Sequence, residues 1–401
     1  MENSAQILNP LLSLHLRNEA EMQRYGDLEI VSTFGQPQAE YAAIHKSCGI
    51  MDLPFRGVLR LTGPDRHQFL NGLISNRTWD KETRRPMPAG SWVYAFLLNL
   101  KGRIVADMNV IELGDETLID CDARLVKDLK ALMEQYLFTE RVTIESLLGT
   151  MHGIGLYGPQ AAQVLQGAAE HAGQFGEGQA AFRLNVGGVG CVAFRDAPTG
   201  TDGFQLILPS ADAETVWNAL LAMSERGDEP GRRRIRPVGW AAFNACRIEA
   251  GTALFGIDFG GVPVATASPL QKHRDEADDS APGILPAETG RLFPRAVDLT
   301  KCYIGQEIVA RMHARQACAR QIAGFRMSDD ALPLAGATIH DASGNHIGMV
   351  TSSTISPVMG NAAIGLAFVK KPHFAIGATW TVPAEGQLRT ATVVELPFLG
   401  R

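Results

Sequence analysis

Residues 299–315 read LTKCYIGQEIVARMHAR and set Cys302 beside Lys301, just ahead of a run with helical spacing. Ile308, Val309 and Met312 fall on one side of that run, so Cys302 is expected before the first turn of a helix. A thiolate is favoured at a helix N-terminus and beside a cation, and the chemistry open to this segment is that of a reactive thiol. Adjacent side chains usually point apart, which leaves the helix terminus as the nearer source of positive potential. Free cysteine is also among the most commonly buried residue types, so Cys302 by itself is more simply a small core residue.

Two further stretches invite chemistry and fail on physical grounds. Residues 153–158, GIGLYG, match the G-x-G-x-x-G dinucleotide fingerprint. Their first glycines fall inside a strand, and Pro159 is expected at the first helical position, where a free N–H would face pyrophosphate. No acidic residue closes a second strand at the distance a ribose contact requires. The basic run GRRRIRP (231–237) is short and reads as a solvated turn.

Composition narrows the rest. A formal charge of −6 argues against nucleic acid as the main ligand. The six cysteines (Cys48, Cys121, Cys191, Cys246, Cys302, Cys318) lack the paired spacings that hold zinc or iron–sulfur clusters, so no metal site is expected. The opening MENSAQILNPLLSLHLRNEAE has no basic end followed by an unbroken apolar stretch, and no apolar run approaches the ~20 residues that span a bilayer. The expectation is a cytoplasmic protein with no membrane partner.

The elements that must position any site follow from periodicity. A chain of 401 residues, 45% hydrophobic, predicts two or three domains. RGVLRLT (56–62) alternates like a strand, and the following GPDRHQFLNGLISNR places Phe69, Leu70 and Leu73 on one helical face. WVYAFLL (92–98) and RIVADMNVIEL (103–113) read as a hairpin joined by NLKG, followed by the strand TLIDCD and the helix RLVKDLKALMEQYLF. A second α+β stretch runs from HGIGLYG through GFQLILP to ETVWNALLAMSE. Residues 261–287, with QKHRDEADDSAPG, are polar and charged and predict a mobile insertion. Residues 321–401 carry short apolar runs between Gly and Pro, the pattern of a small β-barrel or sandwich.

Five segments, at 56–76, 97–110, 247–259, 285–315 and 348–369, together resemble the folate-binding YgfZ proteins and their relative, the T-protein (aminomethyltransferase) of the glycine cleavage system. The resemblance covers most of residues 40–385. Its sharpest element is the YgfZ signature K-G-C-Y-x-G-Q-E, seen here as Lys301-Cys302-Tyr303-Ile304-Gly305-Gln306-Glu307, without the glycine between Lys and Cys. With Cys302 as anchor, Thr300 takes the position of the family lysine.

The resemblance implies an α+β fold, a three-domain ring around a central folate-sized hole. Residues 1–54 with 146–260 would form a discontinuous folate-binding domain and 55–145 an inserted α+β domain. Residues 288–320 would hold the signature and a linking helix, and 321–401 a C-terminal β-barrel. The implied cofactor is tetrahydrofolate or a folate derivative. For the YgfZ branch the implied role is assembly or repair of iron–sulfur proteins, with iron–sulfur client or assembly proteins as partners. For the T-protein branch it is transfer of an aminomethyl-derived carbon to folate. A silent ring scaffold that binds a protein partner is a third reading.

One-carbon transfer to tetrahydrofolate needs a carboxylate near the pterin, to manage the proton on N5 and to stabilise a cationic carbon. T-proteins carry paired aspartates in G-G-x-x-D-D-L. Here Gly102-Arg103-Ile104-Val105-Ala106-Asp107-Met108 keeps Asp107 alone, as the implied catalytic and pterin-binding acid. The other reading of Asp107 is an ordinary polar position on a half-exposed strand. The T-protein E-D-G-x-E-I, whose glutamate meets the pterin's amidine edge, becomes Thr201-Asp202-Gly203-Phe204-Gln205-Leu206, leaving Gln205 to accept one bond and donate another. R-D-x-L-R-x-E-A-G becomes Phe243 to Gly251, which retains Arg247 and Glu249. Arg247 is implied at the cofactor, with a structural tie between domains as the alternative. Asp258 and Glu288 lie on segments the family places near the hole, or are surface acids. The resemblance makes Cys302 the reactive residue, Tyr303 and Gln306 ligand-orienting groups, and Gly305 a point of close backbone approach. The intact Y-x-G-Q-E against the altered D-D, E-I and R-D positions favours the YgfZ branch.

Overall fold

Apolar runs of the chain fold into two main sheets and a closed barrel in the computed structural model, which describes residues 9–170, 180–226, 234–269, 283–315 and 318–399. The larger sheet has the order Ala169–Glu170, Ala181–Val186, Val189–Arg195, Gly203–Pro209, Met151–Tyr157, Gly49–Asp52, Arg236–Pro237. Helices Ala161–Ala168 and Ala213–Leu221 carry Val164, Leu165, Val216, Trp217 and Leu220 at three- and four-residue spacing. These residues cluster with Ile154, Leu156, Leu206 and Leu208 of the sheet. Gly153 and Gly155 lie within the strand, as their spacing suggested. The helix after it starts at Ala161 with Gln160 as its cap, so Pro159 precedes the helix and does not occupy its first position.

The second sheet has the order Thr143–Ser146, Arg56–Thr62, Thr117–Asp122, Ile104–Glu112, Ser91–Leu98. Every residue of Ile104–Glu112 is buried, so this strand has no solvated face. The boundary expected at 54/55 falls between the strands Gly49–Asp52 and Arg56–Thr62 of the two sheets, whereas that at 145/146 falls inside the strand Thr143–Ser146. Two compact units can be distinguished, residues 1–70, 78–94 and 108–243, and residues 71–77, 95–107 and 244–401, a division that cuts Ser91–Leu98 and Ile104–Glu112 part-way.

The C-terminal strands close into a six-stranded barrel, Arg320–Met327, Ala362–Lys370, His346–Ser356, Thr338–His340, Thr379–Ala384, Gln387–Val394, around Phe325, Val350, Ala367, Trp380 and Val393. The tail is thus a barrel and not a sandwich. Of the expected mobile insertion, residues 270–282 lie outside the described residues, and Val264–Ala267 forms a short 3-10 turn. No helix among the described residues is long and apolar enough to cross a membrane.

Candidate functional site

Asp107 is 7% exposed, on a strand buried on both faces, which removes the half-exposed reading of this position. Strand alternation puts Asn109 on the same side of the strand. Asn109 is 4% exposed, and its Nδ2 donates to Asp120 Oδ2 at 2.8 Å. The guanidinium of Arg56 grips the same carboxylate, with Nε to Oδ1 at 3.1 Å and Nη2 to Oδ2 at 2.5 Å. A carboxylate only accepts, so the amide must turn its NH2 toward Asp120 and its oxygen away. Among the described residues no donor reaches that Oδ1.

Gln205 repeats the arrangement on the larger sheet. It stands in register with Gly155 and Phe194, and its Nε2 donates to Asp196 Oδ2 at 2.7 Å. The phenol of Tyr157 is pushed far above its ordinary value. Burial is the largest cause; Asp196 and Asp120 add to it and Arg56 partly opposes it. Both carboxylates therefore act on one protonated phenol.

The signature segment is turned two ways. Lys301 points inward, where Nζ donates to the carbonyls of Ile74 at 2.6 Å and Asn76 at 2.7 Å, and it lies 5.3 Å from the Tyr303 ring centre. Cys302 faces solvent, so it is not the buried core residue that cysteine statistics favour, and lysine and thiol are not partners. Tyr303 is buried, its hydroxyl raised chiefly by burial and further by Asp298. Gly305 has φ +80° and rests against the turn before the Asp107 strand. The helix is Gln306–Arg315, so Cys302 precedes its first turn, as its spacing suggested, and stands four residues ahead of it.

Arg247 is 0% exposed, and each nitrogen of its guanidinium has a protein partner. Nε and Nη2 donate to Asn244 Oδ1 at 2.9 and 2.7 Å; Nη1 donates to Thr252 O at 3.1 Å and Asp258 Oδ2 at 2.5 Å. Asp258 also accepts from Leu254 N, Thr351 Oγ1 and Ser352 Oγ, at 2.9, 2.7 and 2.6 Å. Glu249 accepts from Ser356, and Glu288 from Leu285 N and Arg320 Nε. These four residues fasten the 244–258 and 285–292 segments to barrel strands, the structural alternative weighed for Arg247.

The expected residues thus fall into groups. Gly305 touches the turn that leads to Asp107; Gln205 sits with Asp196 and Tyr157; Arg247 is held apart in its own network. Asn109, Asp196 and Tyr157 escaped the sequence reading, although the two-residue spacing of Asp107 and Asn109 was a usable signal.

A family model described as the GCVT N-terminal domain matches residues 11–266, and one described as the glycine cleavage T-protein C-terminal barrel domain matches residues 320–399. The aminomethyltransferase of Saccharopolyspora erythraea is 26% identical over 394 residues, and that of Geobacillus kaustophilus 28% over 400; each alignment covers 98% of both chains. The crystal structure of glycine cleavage system aminomethyltransferase T from Bartonella henselae, 23% identical, matches with a TM-score of 0.78 over 97% of each chain and shows the fold to be that of the T-protein. The relatives are named aminomethyltransferases, and none of these matches carries the YgfZ name expected from the signature. Aminomethyltransferases of this family use tetrahydrofolate. With the N-terminal model alone matching more than half of the residues, the chain belongs to the GCVT family of glycine cleavage T-protein relatives.

Proposed function

We propose that the protein is a tetrahydrofolate-dependent transferase of an aminomethyl or methyl group. The observation that carries this reading is Asp107: a carboxylate kept in a strand buried on both faces, in a chain matched along 98% of its length by aminomethyltransferases. The residues fit the cofactor, because the oxygens of Asn109 and Gln205 are turned away from their anchoring carboxylates and suit the N–H groups of a pterin. Bound tetrahydrofolate would supply the nitrogen that accepts the carbon unit. Asp107 would hold a proton beside that nitrogen and offset positive charge on the carbon, in surroundings from which water is excluded. Gly305 and Gln306 would support the turn ahead of Asp107. Ala106 and Phe243 replace the first aspartate of the pair and the first arginine of T-proteins, and Phe243 packs on Tyr157 and Trp240 at 5.4 and 5.6 Å. The carbon donor is accordingly given only as a class.

The test is calorimetric titration with tetrahydrofolate and 5-formyl-tetrahydrofolate beside a glycine cleavage assay. The wild type should bind, and Asp107→Ala should lose about tenfold or more in affinity, from a charge-assisted bond worth roughly 1.5–3 kcal/mol. Undiminished affinity in a folded variant would remove Asp107 from the site.

One observation favours a second reading, support of iron–sulfur proteins in the manner of YgfZ. Cys302 is the one cysteine exposed to solvent, and it heads the intact run Tyr303 to Glu307. Loss of support for an iron–sulfur enzyme with Cys302→Ser, in cells lacking the endogenous protein, would favour this role; full support by the serine variant would exclude it.

A further inference from the structure

We infer that Asp196 fixes the polarity of Gln205, so that the protein meets an N–H of its ligand with a carboxylate-backed amide oxygen where T-proteins use a carboxylate. The inference rests on the folate reading and assigns Asp196 as a positioning residue for ligand specificity.

A glutamine amide has nearly the same shape in its two orientations, and only its neighbours choose between them. At Gln205 the neighbour is Asp196, 2.7 Å from the amide nitrogen. Flipping the amide would bring two acceptors to that distance. The orientation is therefore settled, with Oε1 directed away from Asp196 as an acceptor. The charge-assisted bond behind it also polarises the amide, which strengthens Oε1 as an acceptor without placing a full negative charge against the ligand.

Asn109 makes the same argument independently. Its NH2 is committed to Asp120, and its buried Oδ1 meets no donor among the described residues. Buried acceptors are rarely left unmet, so this one points to a ligand N–H. The Tyr157 phenol feels both Asp196 and Asp120, the carboxylates that anchor the two amides. Two oriented acceptors suit a flat ring bearing an exocyclic amino group next to a ring N–H, the donor edge of a reduced pterin.

The experiment is a double-mutant cycle on tetrahydrofolate affinity with Asp196→Asn, Gln205→Glu and the double variant, repeated at several pH values. Gln205→Glu alone sets two carboxylates against each other. It should weaken binding about tenfold or more at pH 8, with recovery as pH falls and one carboxyl takes a proton to become a donor to the other. The double variant restores a donor–acceptor pair, an asparagine NH2 facing a glutamate, and should bind within about threefold of wild type. Discrimination supplies the second readout. Wild type should prefer tetrahydrofolate to an analogue lacking the exocyclic amino group, and Asp196→Asn should lose much of that preference. A purely structural Asp196 would give additive losses with no pH-dependent recovery, and that result overturns the inference while the folate reading stands. Failure of the wild type to bind any reduced folate overturns both.

Discussion

Gly305 lies directly against Gly102: a Cβ on Gly305 would stand 2.9 Å from the Gly102 Cα and 2.5 Å from the Asn99 carbonyl oxygen. The reverse contact is as close, since a Cβ on Gly102 would meet Ile308 at 2.9 Å. The signature turn and the turn leading to the Asp107 strand can approach this closely only because neither residue has a side chain. Gly305→Ala should therefore cost about 3 kcal/mol, combining left-handed strain with a backbone clash. Gly336→Ala is the comparison, because Gly336 has φ +88° and open space around its Cβ; it should cost about 1 kcal/mol. Urea unfolding of the two variants checks the difference, and equal losses would mean that the contact adds nothing.

Asp258 is the hub of a buried network that joins Arg247 to Thr351 and Ser352. Removing one member strands the others without a partner in an apolar setting. Asp258→Ala should lose about 3–5 kcal/mol, whereas the paired change Arg247→Met with Asp258→Leu should lose less than the sum of the single changes. Strict additivity in denaturant melts would show that the pair is not coupled.

Acid sensitivity should trace in part to Asp52, which accepts hydrogen bonds from His15 at 2.9 Å, His152 at 2.7 Å and Asn9 at 2.7 Å. Burial, the largest influence, pushes its carboxyl up. The attraction of His152 and hydrogen bonds from both imidazoles more than reverse this and hold it below the ordinary 3.8. A folded-state value below the unfolded one means that the unfolded chain binds the proton more readily. Its contribution to stability is thus complete above the unfolded value of about 3.9 and is lost as pH falls toward the folded one. Asp52→Asn should be less stable by about 3 kcal/mol at pH 7, with the gap to wild type closing below about pH 4. A constant gap from pH 7 to pH 3 would contradict this account.

Much of the fold was legible because its signals are local. Arg56–Thr62 alternates, Ser91–Leu98 and Ile104–Glu112 are long apolar runs around a Gly turn, and the tail breaks into short strands at Gly and Pro. What stayed hidden depends on distant partners. The task of Arg247 is decided by Asp258, which is itself held by Thr351 and Ser352, 93 and 94 residues further along the chain. Gln205 could be recognised as an amide replacing an acid, but not that Asp196 would orient it. Gly305 takes a left-handed φ just before the helix begins at Gln306, and Cys302 lies four residues ahead of it, a distance that apolar spacing alone does not set. Periodicity reports which face is apolar and is silent about where the first turn begins.

The thiol of Cys302 should be the most readily alkylated of the six, through access. Cys48, Cys121, Cys191 and Cys246 are buried, and burial pushes the Cys191 thiol up to about 12. Cys318 is partly exposed, yet burial is the largest of its influences and raises its thiol as well. Lys301 gives Cys302 no direct help, since its ammonium is spent on two carbonyls. Iodoacetamide labelling of the folded protein at pH 8, mapped by mass spectrometry, should modify Cys302 about tenfold faster than Cys318 and leave the four buried cysteines intact until unfolding. Labelling of Cys302→Ser should then proceed at the slow Cys318 rate alone. If Cys302 and Cys318 react at the same rate in the wild type, exposure of the signature turn does not make its thiol available, and the role assigned to Cys302 in the iron–sulfur reading loses its physical basis.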